Sequence, residues 1–139
     1  MVRITVGIVA GLIAWIVGFY AVGIAFGLAW PAYAEAARFM FRDNDFSHFA
    51  TPMLFVNWVV FLAAGTFAGW LALWIAKNRM APLVVAALWF VYGVVNHYWL
   101  VWDKLPGWYN VIVPFVIAAP IFVWSRFARP ANVGARAAA

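Results

Sequence analysis

Polar chemistry in this chain can concentrate in one stretch, Asn96-His97-Tyr98-Trp99-Leu100-Val101-Trp102-Asp103-Lys104-Leu105-Pro106-Gly107-Trp108-Tyr109-Asn110. His97 brings an imidazole that can bind a metal or hand over a proton. Asn96 and Asn110 bring amides that both donate and accept, and Asp103 brings a carboxylate. At helical spacing, Trp89, Tyr92, Asn96, Trp99 and Asp103 fall on one stripe. His97 lies beside that stripe, over Gly93, where the missing side chain leaves room for a flat group. Asn57 joins the set from another segment, about one and a half turns in from its end, deep enough for its amide to need a partner.

The candidate ligand-binding residues are therefore His97, Asn96, Tyr92, Asp103, Asn57, Asn110 and Trp99. Their chemistry suits a quinone or a lipid headgroup, with tryptophans along the tail. It would suit a haem if His48 supplied a second imidazole. No cofactor is required by the sequence. A second set, Asp43, Asp45 and His48, has the donor types of a divalent-metal site. The same Asp-Asn-Ser-rich run also reads as ordinary turn and capping chemistry. No hydroxyl is paired with a base as a nucleophile, apart from the neighbours Ser47 and His48, and no phosphate loop, HExxH or dinucleotide fingerprint occurs. No catalytic residue is assigned, and the balance leans against an enzyme.

The elements that must position these residues are apolar. The 139 residues are 69% hydrophobic, 20% aromatic and 9% charged, with a mean hydropathy of +0.96. Soluble domains are roughly a quarter charged. A spanning helix needs about 20 apolar residues, so the chain reads as an all-α integral membrane protein of four transmembrane helices in an antiparallel up-down bundle. It forms a single membrane domain over 1–139, with spans at about 4–30, 52–76, 82–102 and 108–125, an outer loop at 31–51 and a tail at 126–139. The first apolar run is too long for a signal peptide, despite Ala32-Tyr33-Ala34, and reads as a retained helix. Cysteine is absent, which removes disulfides, thiolate metal sites and thiol catalysis.

Within the outer loop, Glu35, Arg38 and Arg42 share one face of a short amphipathic helix suited to the headgroup level. Thr51 reads as an N-cap before Pro52 at the first helical position. Leu105-Pro106-Gly107-Trp108 reads as a type II turn, and Pro114 and Pro120 as kinks. Arg3, Lys77, Arg79, Arg126, Arg129 and Arg136 gather on one side, against Arg38, Arg42 and Lys104 on the other. That bias puts both termini in the cytoplasm of a bacterial inner membrane. The net charge of +5 is thereby a topology signal, and nucleic acid is not an expected partner.

Small residues form seams along which backbones can approach: Gly7, Gly11, Ala14 and Gly18 in the first helix, Gly65 and Gly69 in the second, with Ala72 and Ala76 extending the latter. The two seams are expected to mate. From these features the leading expectation is a non-catalytic accessory or structural subunit of a larger inner-membrane complex, respiratory or photosynthetic, docked to other subunits or to itself. The alternative is a small membrane protein that binds or acts on a quinone, lipid or haem at an outer-leaflet site. A third is a homo-oligomeric channel or transporter.

Overall fold

A computed structural model describes residues 1–128; Arg129, Arg136 and the rest of the expected tail lie outside the described residues. Those residues are helical, without a strand. Four helices are long and apolar enough to cross a membrane: α1 (Val2–Ala29), α3 (Thr51–Ala76), the continuous helical stretch that begins as α4 (Met80–Val95), and α5 (Gly107–Trp124). Between α1 and α3 lies α2 (Pro31–Asp43), separated from α1 by Trp30 alone. Pro31 forces that break: it has no N–H to continue α1 but suits the first position of a new helix. The long connection is thus mostly α2, whose C-terminus closes on Asn44 in the left-handed conformation, φ 53°.

Small residues decide how the helices meet. A Cβ on Gly7 would stand 2.8 Å from the Ala76 Cβ, one on Gly11 2.9 Å from the Ala72 Cβ, and one on Gly18 3.1 Å from the Ala64 Cα. The partner face on α3 is Ala64, Ala68, Ala72 and Ala76, and all four are buried. Gly65 and Gly69, expected to mate with α1, instead face α5 on the adjacent side of α3. A Cβ on Gly65 would meet the Pro120 ring at 2.6 Å, and one on Gly69 the Trp124 ring at 2.6 Å. Residues one apart on a helix diverge by about 100°, so Ala64 and Gly65 cannot serve one neighbour. The helix carries two small-residue faces. Gly93 on α4 similarly receives Pro114 of α5, at 3.0 Å from its would-be Cβ. Each proline inside α5 therefore lies against a glycine that leaves space for its ring.

Several helix ends differ from the sequence reading. α3 starts at Thr51, with Ala50 as the N-cap and no side-chain cap, so Thr51 is not the cap. α4 starts at Met80 rather than Pro82, and the Asn78 Oδ1 accepts the Met80 N–H at 2.8 Å. Pro106 has the extended backbone of a turn's first corner (φ −55°, ψ 135°). Among the described residues no glycine has the positive φ that the second corner of a type II turn needs. Gly107 is already the first residue of α5, so the chain passes from Pro106 straight into the helix.

Candidate functional site

A cleft of about 730 Å³ opens between α1 and α4, under a roof formed by α2 and the segment that follows it. That is within the usual range of small-molecule sites, about 300–1,000 Å³. Its walls are aromatic. Trp15, Phe19 and Phe61 lie nearly parallel, with interplanar angles of 4°, 12° and 16° and centroids 5.3 to 6.1 Å apart. Trp89 stacks on Trp15 at 3.8 Å. Phe41, Phe46 and Phe49 supply the roof, and Asn57, Asn96, His97 and Tyr109 line the same cleft. Near-parallel rings beside a small polar set form a surface suited to a flat, mostly apolar ligand with one polar edge. The indole N–H groups of Trp15 and Trp89 are buried without a hydrogen-bond partner among the described residues.

His97 is positioned by an irregular stretch of helix. After Val95 the helix widens into a π turn, Asn96–Leu100, closed by the Val101 N–H donating to the Asn96 carbonyl at 3.0 Å. Such i→i+5 turns occur mostly as short insertions, often at functional sites. A short 3₁₀ turn, Trp102–Lys104, follows. Here the π turn leaves Trp99 at 75% exposure and Leu100 at 61%, while His97 is buried at 7%.

Asn110, fully buried at the second turn of α5, holds this stretch together. Its Nδ2 donates to the carbonyls of Trp102 at 3.0 Å and Leu105 at 3.1 Å, with Val101 at 3.5 Å. Its Oδ1 lies 2.9 Å from the His97 Nδ1. The amide orientation follows from that network: three carbonyls surround one terminal atom, which must be the nitrogen. The oxygen then faces His97, so Nδ1 carries the proton and donates. One asparagine thereby satisfies the carbonyls left open where the helix ends and orients the imidazole.

Asn57 is tied to the roof. The Tyr33 hydroxyl of α2 donates to its Oδ1 at 2.6 Å. Tyr33 is 4% exposed, and burial pushes its phenol up to about 12 from an ordinary value of 10.0. A folded value above the unfolded one favours folding fully below pH 10, a contribution lost as pH rises through 12. Stability measured by thermal unfolding should therefore decline across that window. Tyr33→Phe should remove this part of the decline and cost about 1 kcal/mol at neutral pH for the lost bond.

The expected site residues divide. His97, Asn96, Asn57 and Tyr92 line the cleft, Tyr92 at its exposed edge, and Asn110 orients His97 from behind. Trp99 and Asp103 do not line it. Trp99 projects outward, and Asp103 sits exposed on the 3₁₀ turn. The space expected over Gly93 is filled by Pro114. The open space lies instead between α1 and α4. Asp43 pairs with Arg42 at 2.9 Å, and Asp45 accepts the Ser47 N–H at 2.9 Å and lies 3.5 Å from His48. The Ser47 bonds hold the Asp45 carboxyl below its usual value, as expected of a turn residue. Among the described residues no three acids or histidines gather closely enough to hold a metal ion. His48 stacks on Phe39 at 4.0 Å.

The sequence reading missed Tyr109 and the Phe19–Phe61 wall. Tyr109 is 1% exposed, and its place beside Asn110 in Trp-Tyr-Asn was the available signal. Phe19 and Phe61 belong to different helices and carry no signal of proximity. The fold and site thus define a protein of four membrane-length helices with an aromatic cleft ending on an oriented histidine. The chain matches no protein-family model, and comparisons with curated proteins and with solved structures return no match.

Proposed function

We propose that this is a small bacterial inner-membrane protein that binds a hydrophobic, ring-bearing amphiphile from the outer half of the bilayer. The carrying observation is the 730 Å³ cleft, aromatic along its length and polar at His97. In this reading the four long helices cross the bilayer as an antiparallel up-down bundle with both termini cytoplasmic. α2 lies at the outer headgroup level as the interfacial helix, with Glu35, Arg38 and Arg42 exposed. The register supports that arrangement: contacts of α1 with α3 pair rising with falling residue numbers, Gly7 with Ala76 and Gly18 with Ala64. Ile16 and Leu88, both about half exposed, stand where the cleft meets lipid.

The accessory-subunit reading drew on small-residue seams to dock a partner, on aromatic belts to fix depth and on an outer polar cap. Those seams are occupied within the chain: Gly7, Gly11 and Gly18 by α3, and Gly65 and Gly69 by α5. Ligand binding is therefore the better-supported function. Native mass spectrometry and lipid extraction of protein purified in mild detergent test it. Wild type should carry a stoichiometric hydrophobic molecule, and Leu88→Trp, which fills the cleft from its lipid side, should lose it while keeping the helical circular dichroism spectrum and cooperative unfolding of wild type. Full retention in Leu88→Trp, or no retained molecule in wild type, would sink the reading.

A further inference from the structure

We infer that the cleft selects a ligand whose ring bears a hydroxyl, the class that includes quinols and hydrophobic phenols, over the oxidised or capped forms that cannot donate a hydrogen bond. This rests on the ligand-binding reading above and adds the chemical identity of the polar contact. The neutral imidazole has one N–H and one lone pair. Asn110 fixes which nitrogen holds which: its Nδ2 is committed to backbone carbonyls, its Oδ1 takes the Nδ1 proton, and the lone pair is left on Nε2. His97 is 93% buried by its 7% exposure, lines the cleft, and its Nε2 makes no hydrogen bond among the described residues. No carboxylate lines the cleft to draw a second proton onto the ring.

An acceptor that faces a mostly apolar cleft with no donor from the chain is held there at a cost. A ring hydroxyl placed at Nε2 relieves that cost, whereas a quinone carbonyl or an ether oxygen sets lone pair against lone pair. Donors also line the cleft, among them the Asn57 amide nitrogen and the unpartnered indole N–H groups of Trp15 and Trp89, but a hydroxyl oxygen serves those as a carbonyl would and alone also brings a proton to Nε2. Asn57 already accepts from Tyr33, and Asn96 can present either end of its amide. The walls agree with a ring: Trp15, Phe19 and Phe61 are parallel to within 16°, as a stacked headgroup requires. Bis-histidine haem ligation, which would also use a free Nε2, lacks its second imidazole, because His48 is stacked on Phe39 and paired with Asp45.

The test uses the full chain in nanodiscs and tryptophan fluorescence quenching with two matched pairs: an alkylphenol and its methyl ether, and a short-tailed benzoquinol and its quinone under anaerobic conditions. The hydroxyl member of each pair should bind at least about tenfold more tightly, about 1.4 kcal/mol. His97→Phe should erase that difference by weakening the hydroxyl member alone, and His97→Gln, whose amide oxygen can accept, should restore part of it. Binding of both members with equal affinity, blocked by Leu88→Trp, would overturn the hydroxyl preference while leaving the cleft a ligand site. Binding of neither, or binding that ignores Leu88→Trp, would overturn both. A Soret band in the native protein would replace the hydroxyl ligand with haem.

Discussion

Gly69→Ala should destabilise the protein by about 2–3 kcal/mol, whereas Gly23→Ala should leave it unchanged or raise its stability by up to about 1 kcal/mol. The two substitutions are chemically identical, and alanine is the better helix former in both places. Space decides the sign. A methyl on Gly69 would stand 2.6 Å from Trp124, 2.9 Å from the Ile121 Cα and 3.0 Å from the Ile121 carbonyl oxygen. Two of those atoms are backbone, so α5 itself must retreat, and overpacking of that kind costs about 1–3 kcal/mol. A methyl on Gly23 would meet nothing within 4 Å. Thermal or denaturant unfolding in detergent, run on both variants, reads the contrast. Equal effects would mean that α3 and α5 do not meet along Gly65 and Gly69.

Asn110→Leu should have the largest effect on the site, lowering stability by about 3–5 kcal/mol. Leucine has the same γ-branched outline and a somewhat larger volume, so no cavity forms. It removes a partner from the Trp102 and Leu105 carbonyls, from the weaker Val101 contact and from the His97 N–H. Each bond contributes about 0.5–1.5 kcal/mol, and an unpaired buried group costs about 1–3 kcal/mol. Bonds between helices in a membrane fall at the lower end of such values, and nearby water can reach part of the 101–105 turn. Those two facts set the estimate below the sum. Asn110→Leu should also free the His97 ring to exchange its protonated nitrogen, so any preference for a hydroxylated ring should fall with it. A melting temperature within a degree or two of wild type would show that the turn is held by something else.

Much of the fold could be read from the sequence, and for one reason. Hydrocarbon-length runs without charge must be helices wherever water is excluded, since every backbone polar group needs an internal partner. The four long helices follow from that constraint, and the amphipathic α2 from the helical spacing of Glu35, Arg38 and Arg42. Which helix faces which does not. Ala64, Gly65, Ala68 and Gly69 all read as small, and only the packed structure sends the alanines to α1 and the glycines to α5. The site was legible in part. Asn57, Asn96, His97 and Asn110 stand out because polar side chains are rare in this chain and costly inside it.

Their geometry was not legible, because the π turn at Asn96–Leu100 has no residue signature and moves Trp99 and Asp103 off the face that ideal helical spacing assigns them. The Pro106-Gly107 pair misled for a related reason. Glycine permits the positive φ of a turn but does not demand it, and here the helix claims it first. The cleft was invisible because its walls come from residues as far apart as Leu12 and Ile117.

The Trp15–Trp89 pair gives the protein a built-in optical gauge. With centroids 3.8 Å apart and planes at 29°, the two indoles are close enough to share an excited state and to produce a paired band in near-ultraviolet circular dichroism. One ring belongs to α1 and the other to α4, the two helices between which the cleft opens. Any spreading of that gap by an entering molecule would weaken the coupling, so occupancy can be followed in unlabelled protein from the amplitude of one spectral feature.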